Sequence, residues 1–149
     1  MDMNDLDLSV NPSNFVKSLI KKYTYSDEGY NVLCNSFYDN LNRVSDISYE
    51  NGFDDGVKNL SVAETEPGDF LKVEFILEKR VKNLGEVSER LKNHINNMKL
   101  SNSDKLDLLC HIECDLNQVS NSSFFAGYLA GKYKKLENIP EKMRNLYFK

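Results

Sequence analysis

Tryptophan is absent from this chain, proline occurs three times, and there are only two histidines and three cysteines. Each interior proline would remove a backbone donor and clash with the preceding turn, so their scarcity leaves room for long uninterrupted helices. Cys34, Cys110 and Cys114 are an odd number, at spacings that form no disulfide framework. No run approaches the roughly 18 consecutive apolar residues that a membrane-spanning helix needs. The start, Met1 to Pro12, carries Asp2, Asp5 and Asp7 where a secretory leader would be positively charged and then apolar. These absences together lead to the expectation of a cytoplasmic protein without a membrane segment.

What is present fits a globular chain. Apolar residues make up 40% of the 149 and charged residues 28%, a balance that excludes wholesale disorder. The length suits one helical domain over residues 1–149. Charge is divided unevenly. Residues 1–70 hold 13 Asp or Glu against 5 Lys or Arg, a formal −8, and residues 71–149 hold 10 against 14, a formal +4. The sum is the −4 of the whole chain. An acidic chain is not expected to bind nucleic acid directly, whereas the asymmetry favours contact between the halves or between two copies.

Asn11-Pro12-Ser13 reads as a helix start, with proline in the first turn, and a helix is expected to Tyr23 with Phe15, Val16, Leu19, Ile20 and Tyr23 on one face. A second runs from about Asp27 to Leu60, burying Leu33, Phe37, Leu41, Val44 and Ile47. After the Pro67-Gly68 break, Phe70, Leu77, Leu84, Leu91 and Met98 fall seven apart, with Val73 and Val87 between them, and this seam predicts one long helix from Asp69. A fourth is expected from Ser103 to Leu136, with Leu109, Ile112, Leu116, Val119, Ser123, Ala126, Ala130 and Tyr133 inward and Lys132, Lys134 and Lys135 in its last turn. Pro140 opens a short terminal helix carrying Met143, Leu146, Tyr147 and Phe148. The fold class is all-α: a four-helix-type bundle of two tandem hairpins plus a short C-terminal helix.

The hairpins rest on an internal repeat. Residues 13–60 align without a gap on 88–135, pairing Ser13/Ser88, Lys17/Lys92, Ile20/Ile95, Ser26/Ser101, Leu41/Leu116, Asn42/Asn117, Val44/Val119, Ser45/Ser120, Ser48/Ser123, Gly52/Gly127 and Gly56/Gly131. Both later segments read Leu-Asn-x-Val-Ser-x-x-Ser-aromatic-x-x-Gly-aromatic-x-x-Gly. Helical heptads self-align to some degree in any bundle, but the Gly-x-x-x-Gly flanked by aromatics is not demanded by a heptad.

Catalytic templates fail. Gly131-Lys132 is followed by Tyr133, so there is no phosphate-binding loop. There is no His-Glu-x-x-His, no Glu-x-x-His for a di-iron bundle, and no nucleophile elbow. Glu74 and Glu78 share a helix face, which is ordinary solvated surface. Cys110-His111-x-x-Cys114 lacks the paired short spacings of a zinc site, and its cysteines read as packing material. No catalytic residue, metal or cofactor is therefore expected. Gly127 and Gly131, one turn apart, suit a tight helix crossing or, alternatively, a contact strip for a partner. Asp39, Asp46, Glu50, Asp54 and Asp55, with Glu64, Glu66 and Asp69 beyond, make the first long helix and its exit acidic. They read either as a solvated face balancing the basic half or as a surface imitating nucleic-acid phosphates; Arg43 and Lys58 dilute that face.

The segment Phe124-Phe125-Ala126-Gly127-Tyr128-Leu129-Ala130-Gly131, after an amphipathic helix, resembles small helical accessory proteins of low-GC Gram-positive bacteria and their phages. The resemblance covers about 25 residues. Some phage proteins of this kind act as inhibitors of host defence nucleases (anti-CRISPR-like); the resemblance transfers no functional residue. The expectation is a protein–protein interaction module with a protein partner, a homodimer among the alternatives, the second reading being a mobile-element inhibitor acting through its acidic surface.

Overall fold

The computed structural model describes residues 10–58, 86–134 and 136–148. Among these there are five α-helices and one 3-10 turn, with no strand: α1 Asn14–Tyr23, α2 Asp27–Lys58, α3 Glu89–Asn96, α4 Asn102–Tyr133, the 3-10 turn Leu136–Asn138 and α5 Glu141–Tyr147. The long helices α2 and α4 pack antiparallel. No helix among the described residues is long and apolar enough to cross a membrane.

Four serines start four helices. The Oγ of Ser13 accepts the Val16 N–H and that of Ser88 the Leu91 N–H, both at 3.2 Å. Ser26 accepts from Gly29 at 3.0 Å and Ser101 from Asp104 at 3.1 Å. Each satisfies an amide that the first turn leaves without a partner. Ser13 and Ser88, Ser26 and Ser101, and Asp27 and Asn102 are all 75 residues apart, so the caps and the starts of the long helices recur at the offset of the sequence repeat.

The chain divides into two compact units. The first holds the described residues of 9–44 and 85–119. Its core joins Val16, Ile20 and Tyr23 of α1, Leu33, Phe37, Leu41 and Val44 of α2, Val87, Leu91 and Ile95 at α3, and Leu108, Ile112 and Leu116 of α4. Burying each large aliphatic side chain stabilises the fold by about 1.5–3 kcal/mol. The short helices are tied crosswise. The Ser13 N–H donates to the Asp115 carboxylate of α4 at 3.3 Å, and the Ser88 N–H to Asn40 Oδ1 of α2 at 2.7 Å. Asp115 and Asn40 are again 75 apart.

The second unit holds the described residues of 45–84 and 120–149. Phe124, Phe125, Tyr128, Leu129 and Ala130 of α4 pack with Ile139 and Met143, flanked by Tyr49, Phe53, Tyr133, Tyr147 and Phe148. The rings of Phe125 and Tyr147 lie 5.6 Å apart, which seats α5 on α4. Lys134, at φ 64°, ends α4 in the left-handed conformation usually given to glycine, its N–H donating to the Ala130 carbonyl.

Several sequence expectations need correction. Glu86 to Ser88 are not helical and Ser88 is extended, so no single helix joins the heptad seam through Val87; Leu91 lies in α3, Met98 beyond its end, and Phe70, Val73, Leu77 and Leu84 fall outside the described residues. Pro12 precedes the cap of α1 instead of occupying its first turn. Phe15 is exposed, its ring 5.1 Å from that of His111, and Ile47 is also exposed, because the inward face of α2 there is Val44, Ser45 and Ser48. In α4 Leu108, not Leu109, is the fully buried member of its pair. Lys132 lies in the last turn of α4, Lys134 lies past its end at Tyr133, and Lys135 is outside the described residues.

Candidate functional site

The repeated glycines bring the backbones of α2 and α4 together in the second unit. A Cβ on Gly52 would overlap the carbonyl oxygen of Phe124, and one on Gly56 that of Tyr128. Reciprocally, a Cβ on Gly127 would overlap the carbonyl oxygen of Tyr49, and one on Gly131 that of Phe53. Phe124 and Tyr128 are the residues 75 positions from Tyr49 and Phe53. Exchanging each residue for its repeat counterpart therefore returns the same set of contacts. The two helix backbones touch, which only glycine permits.

One turn further on, serine hydroxyls continue the seam. Ser45 Oγ and Ser123 Oγ lie 2.7 Å apart, and Ser48 Oγ and Ser120 Oγ 3.0 Å apart, all four buried. Each hydroxyl can donate and accept, so a pair of serines satisfies itself where water is excluded. Helical spacing alone places Ser123 inward; Ser45, Ser48 and Ser120 are marked in the sequence only as identities of the repeat. Gly127 and Gly131 are buried against α2 in this crossing.

The acidic residues lie elsewhere. Asp39, in the first unit, is exposed and 3.5 Å from Arg90, itself exposed, an ion pair worth little in water. In the second unit Asp46, Glu50 and Asp54 are exposed on one side of α2, at spacings of four. Asp55 points away from that row, is half-buried and already holds an interaction of its own. Glu64, Glu66 and Asp69 lie outside the described residues.

The repeat gives this row a reference. The counterparts of Glu50 and Asp54, 75 positions on, are Phe125 and Leu129, which are buried under the C-terminal segment. At these two positions the outward face of the repeated helix is thus apolar and covered on α4, acidic and exposed on α2, while the counterpart of Asp46 is the half-buried Asn121. Ile47 and Val57, 38% and 44% exposed, flank the open row with apolar surface.

Cys110 and Cys114 are exposed and Cys34 is half-buried against the core, so of the three only Cys34 serves as packing material. His111 Nδ1 lies 2.8 Å from the Asp107 carbonyl oxygen and 3.4 Å from its carboxylate, turned along α4. Among the described residues no three His, Cys, Asp or Glu side chains gather as metal ligands would. The Tyr23 hydroxyl donates to Asp107 at 2.9 Å; that hydrogen bond, burial, and the charges of Asp107 and Asp104 push its pKa up to about 12. Tyr30 is raised by its hydrogen bond to Cys34 and by burial, and Tyr49 and Tyr133 by burial.

No protein-family model matches the chain, and neither a curated protein nor a solved structure matches it.

Proposed function

We propose that the protein is a non-enzymatic interaction module built from two tandem helical hairpins, residues 13–60 and 88–135, arranged as a four-helix-type bundle with α5 added, and that it binds a protein partner through the outward face of α2. The observation that carries this reading is the divergence of the repeat at Glu50/Phe125 and Asp54/Leu129. A face that the chain covers with its own helix in one repeat is charged and open in the other. The glycine and serine seam is fully used within the molecule, so recognition is left to outer surfaces. The partner suited to Asp46, Glu50 and Asp54, about 6 Å apart along the helix axis at four-residue spacing, carries a row of Lys or Arg with apolar side chains to meet Ile47 and Val57. The protein acts in the cytoplasm on this reading.

A second reading is favoured by the same row. A basic groove that meets regularly spaced carboxylates is chemically a groove for nucleic-acid phosphates, so the partner is a nucleic-acid-handling enzyme and the protein its inhibitor, as in a mobile element opposing host defence. The test is capture from the native host with the wild-type chain and with Glu50→Gln/Asp54→Asn. A partner retained by the first and lost by the second, with unchanged helix content by circular dichroism, supports the α2 face. Displacement of that partner's DNA or RNA supports the inhibitor reading. Equal retention by both chains removes the α2 face.

A further inference from the structure

In the first unit a cleft of about 450 Å³ opens between the start of α2 and the end of α3. Val32, Leu33 and Met98 supply apolar wall, Glu28 stands on the α2 side, and His94 and Lys99 stand on the α3 side. The repeat offers a comparison. At the equivalent corner, Tyr23, which also lines the cleft, takes the place of Met98 and Asp107 that of Val32, each 75 residues away, and the Tyr23 hydroxyl donates to Asp107. Methionine and valine form no such bond. The linker residues differ as well. Leu100 is half-buried against the core, whereas its counterpart Tyr25, on the cleft's edge, is 88% exposed.

We propose that this cleft receives the Tyr25 side chain of a second copy of the chain, in a two-fold dimer where each protomer gives and takes one tyrosine. A two-fold interface must be complementary to itself, so it needs a projection and a matching recess on one patch, and opposite charges on that patch. Tyr25 is the projection and the cleft beside it the recess. Glu28 and Lys99 are the charges. Among the described residues neither takes part in an ion pair, and in the proposed dimer the Glu28 side of one protomer would face the Lys99 side of its partner. An aromatic ring in an apolar recess ringed by paired charges has the form of an interface hot spot. The proposal is independent of the α2 face, whose exposed row lies in the other unit.

Analytical ultracentrifugation over a concentration series tests it. The wild-type chain is expected to sediment as a monomer–dimer equilibrium. Tyr25→Ala, at an exposed linker position, is expected to melt as the wild type does and to weaken dimerisation roughly thirtyfold or more. Glu28→Lys and Lys99→Glu are each expected to weaken it, and the two together to restore it, a rescue that loss of folding cannot produce. A monomer at all concentrations overturns the proposal, whether or not another molecule fills the cleft. A dimer indifferent to Tyr25→Ala and to the charge exchange overturns it equally.

Discussion

The hydroxyls of Ser45 and Ser123 meet at 2.7 Å across the contact between α2 and α4. Their repeat counterparts, Ser120 and Ser48, meet at 3.0 Å, so one interaction occurs twice in a contact that maps onto itself. Removing one hydroxyl leaves its buried partner unsatisfied, at a cost of about 1–3 kcal/mol. Ser45→Ala and Ser123→Ala are each expected to lower the denaturant midpoint. The double variant is expected to lose less than the two singles added, because no orphaned hydroxyl remains. Urea titration of the four chains measures the difference.

At Gly127 the local and the long-range effects of adding a methyl oppose each other. Alanine is favoured over glycine within a helix by about 1 kcal/mol. Here the added Cβ would run into the Tyr49 carbonyl oxygen, a backbone atom that cannot swing aside. Gly127→Ala is expected to destabilise by about 1–3 kcal/mol, and Gly52→Ala, which meets Phe124 in the same way, by a comparable amount. Melting curves that rise for either variant would mean that the helices do not touch there.

Tyr23 governs part of the response to alkali. In the unfolded chain its hydroxyl ionises near 10.0, and in the folded protein at about 12. Between these values the folded state keeps a proton that the unfolded state has released, so stability falls as pH rises through that window and is intact below pH 10. Tyr23→Phe is expected to make the fall shallower without abolishing it, since Tyr30, Tyr49 and Tyr133 are also raised. Absorbance titration of tyrosinate, native against denatured, is expected to show one fewer late-ionising group in the variant.

The all-helical class and the starts of α2 and α4 were legible because caps, acids in first turns and the 75-residue repeat agreed with one another; the end of α4 was not, since the helix stops at Tyr133, three residues short of the expected Leu136. The error at Ser88 shows two signals in conflict. Heptad spacing carried a helix through Val87, while the repeat matched Ser88 to Ser13, a capping residue. The cap prevailed because an N-cap must leave helical backbone angles, as Ser88 does with ψ 152°. The exposure of Ile47 and the burial of Ser45 and Ser48 were not legible from hydrophobicity, because a glycine-tight crossing leaves room beside it for serine but not for isoleucine. The acidic row was readable residue by residue. That its counterpart on α4 is covered by α5 needed the structure, since only packing tells which face of the helix Phe125 and Leu129 occupy.

The association rate of the captured partner, measured by stopped flow over a salt series, separates an acidic binding face from a solvated one. For the wild-type chain the rate is expected to fall as salt rises, since the Debye length shrinks to about 10 Å at 0.1 M. For Glu50→Gln/Asp54→Asn it is expected to start lower and fall less steeply, with the dissociation rate little changed. Identical rates and salt slopes for the two chains would contradict a partner-binding role for the α2 face.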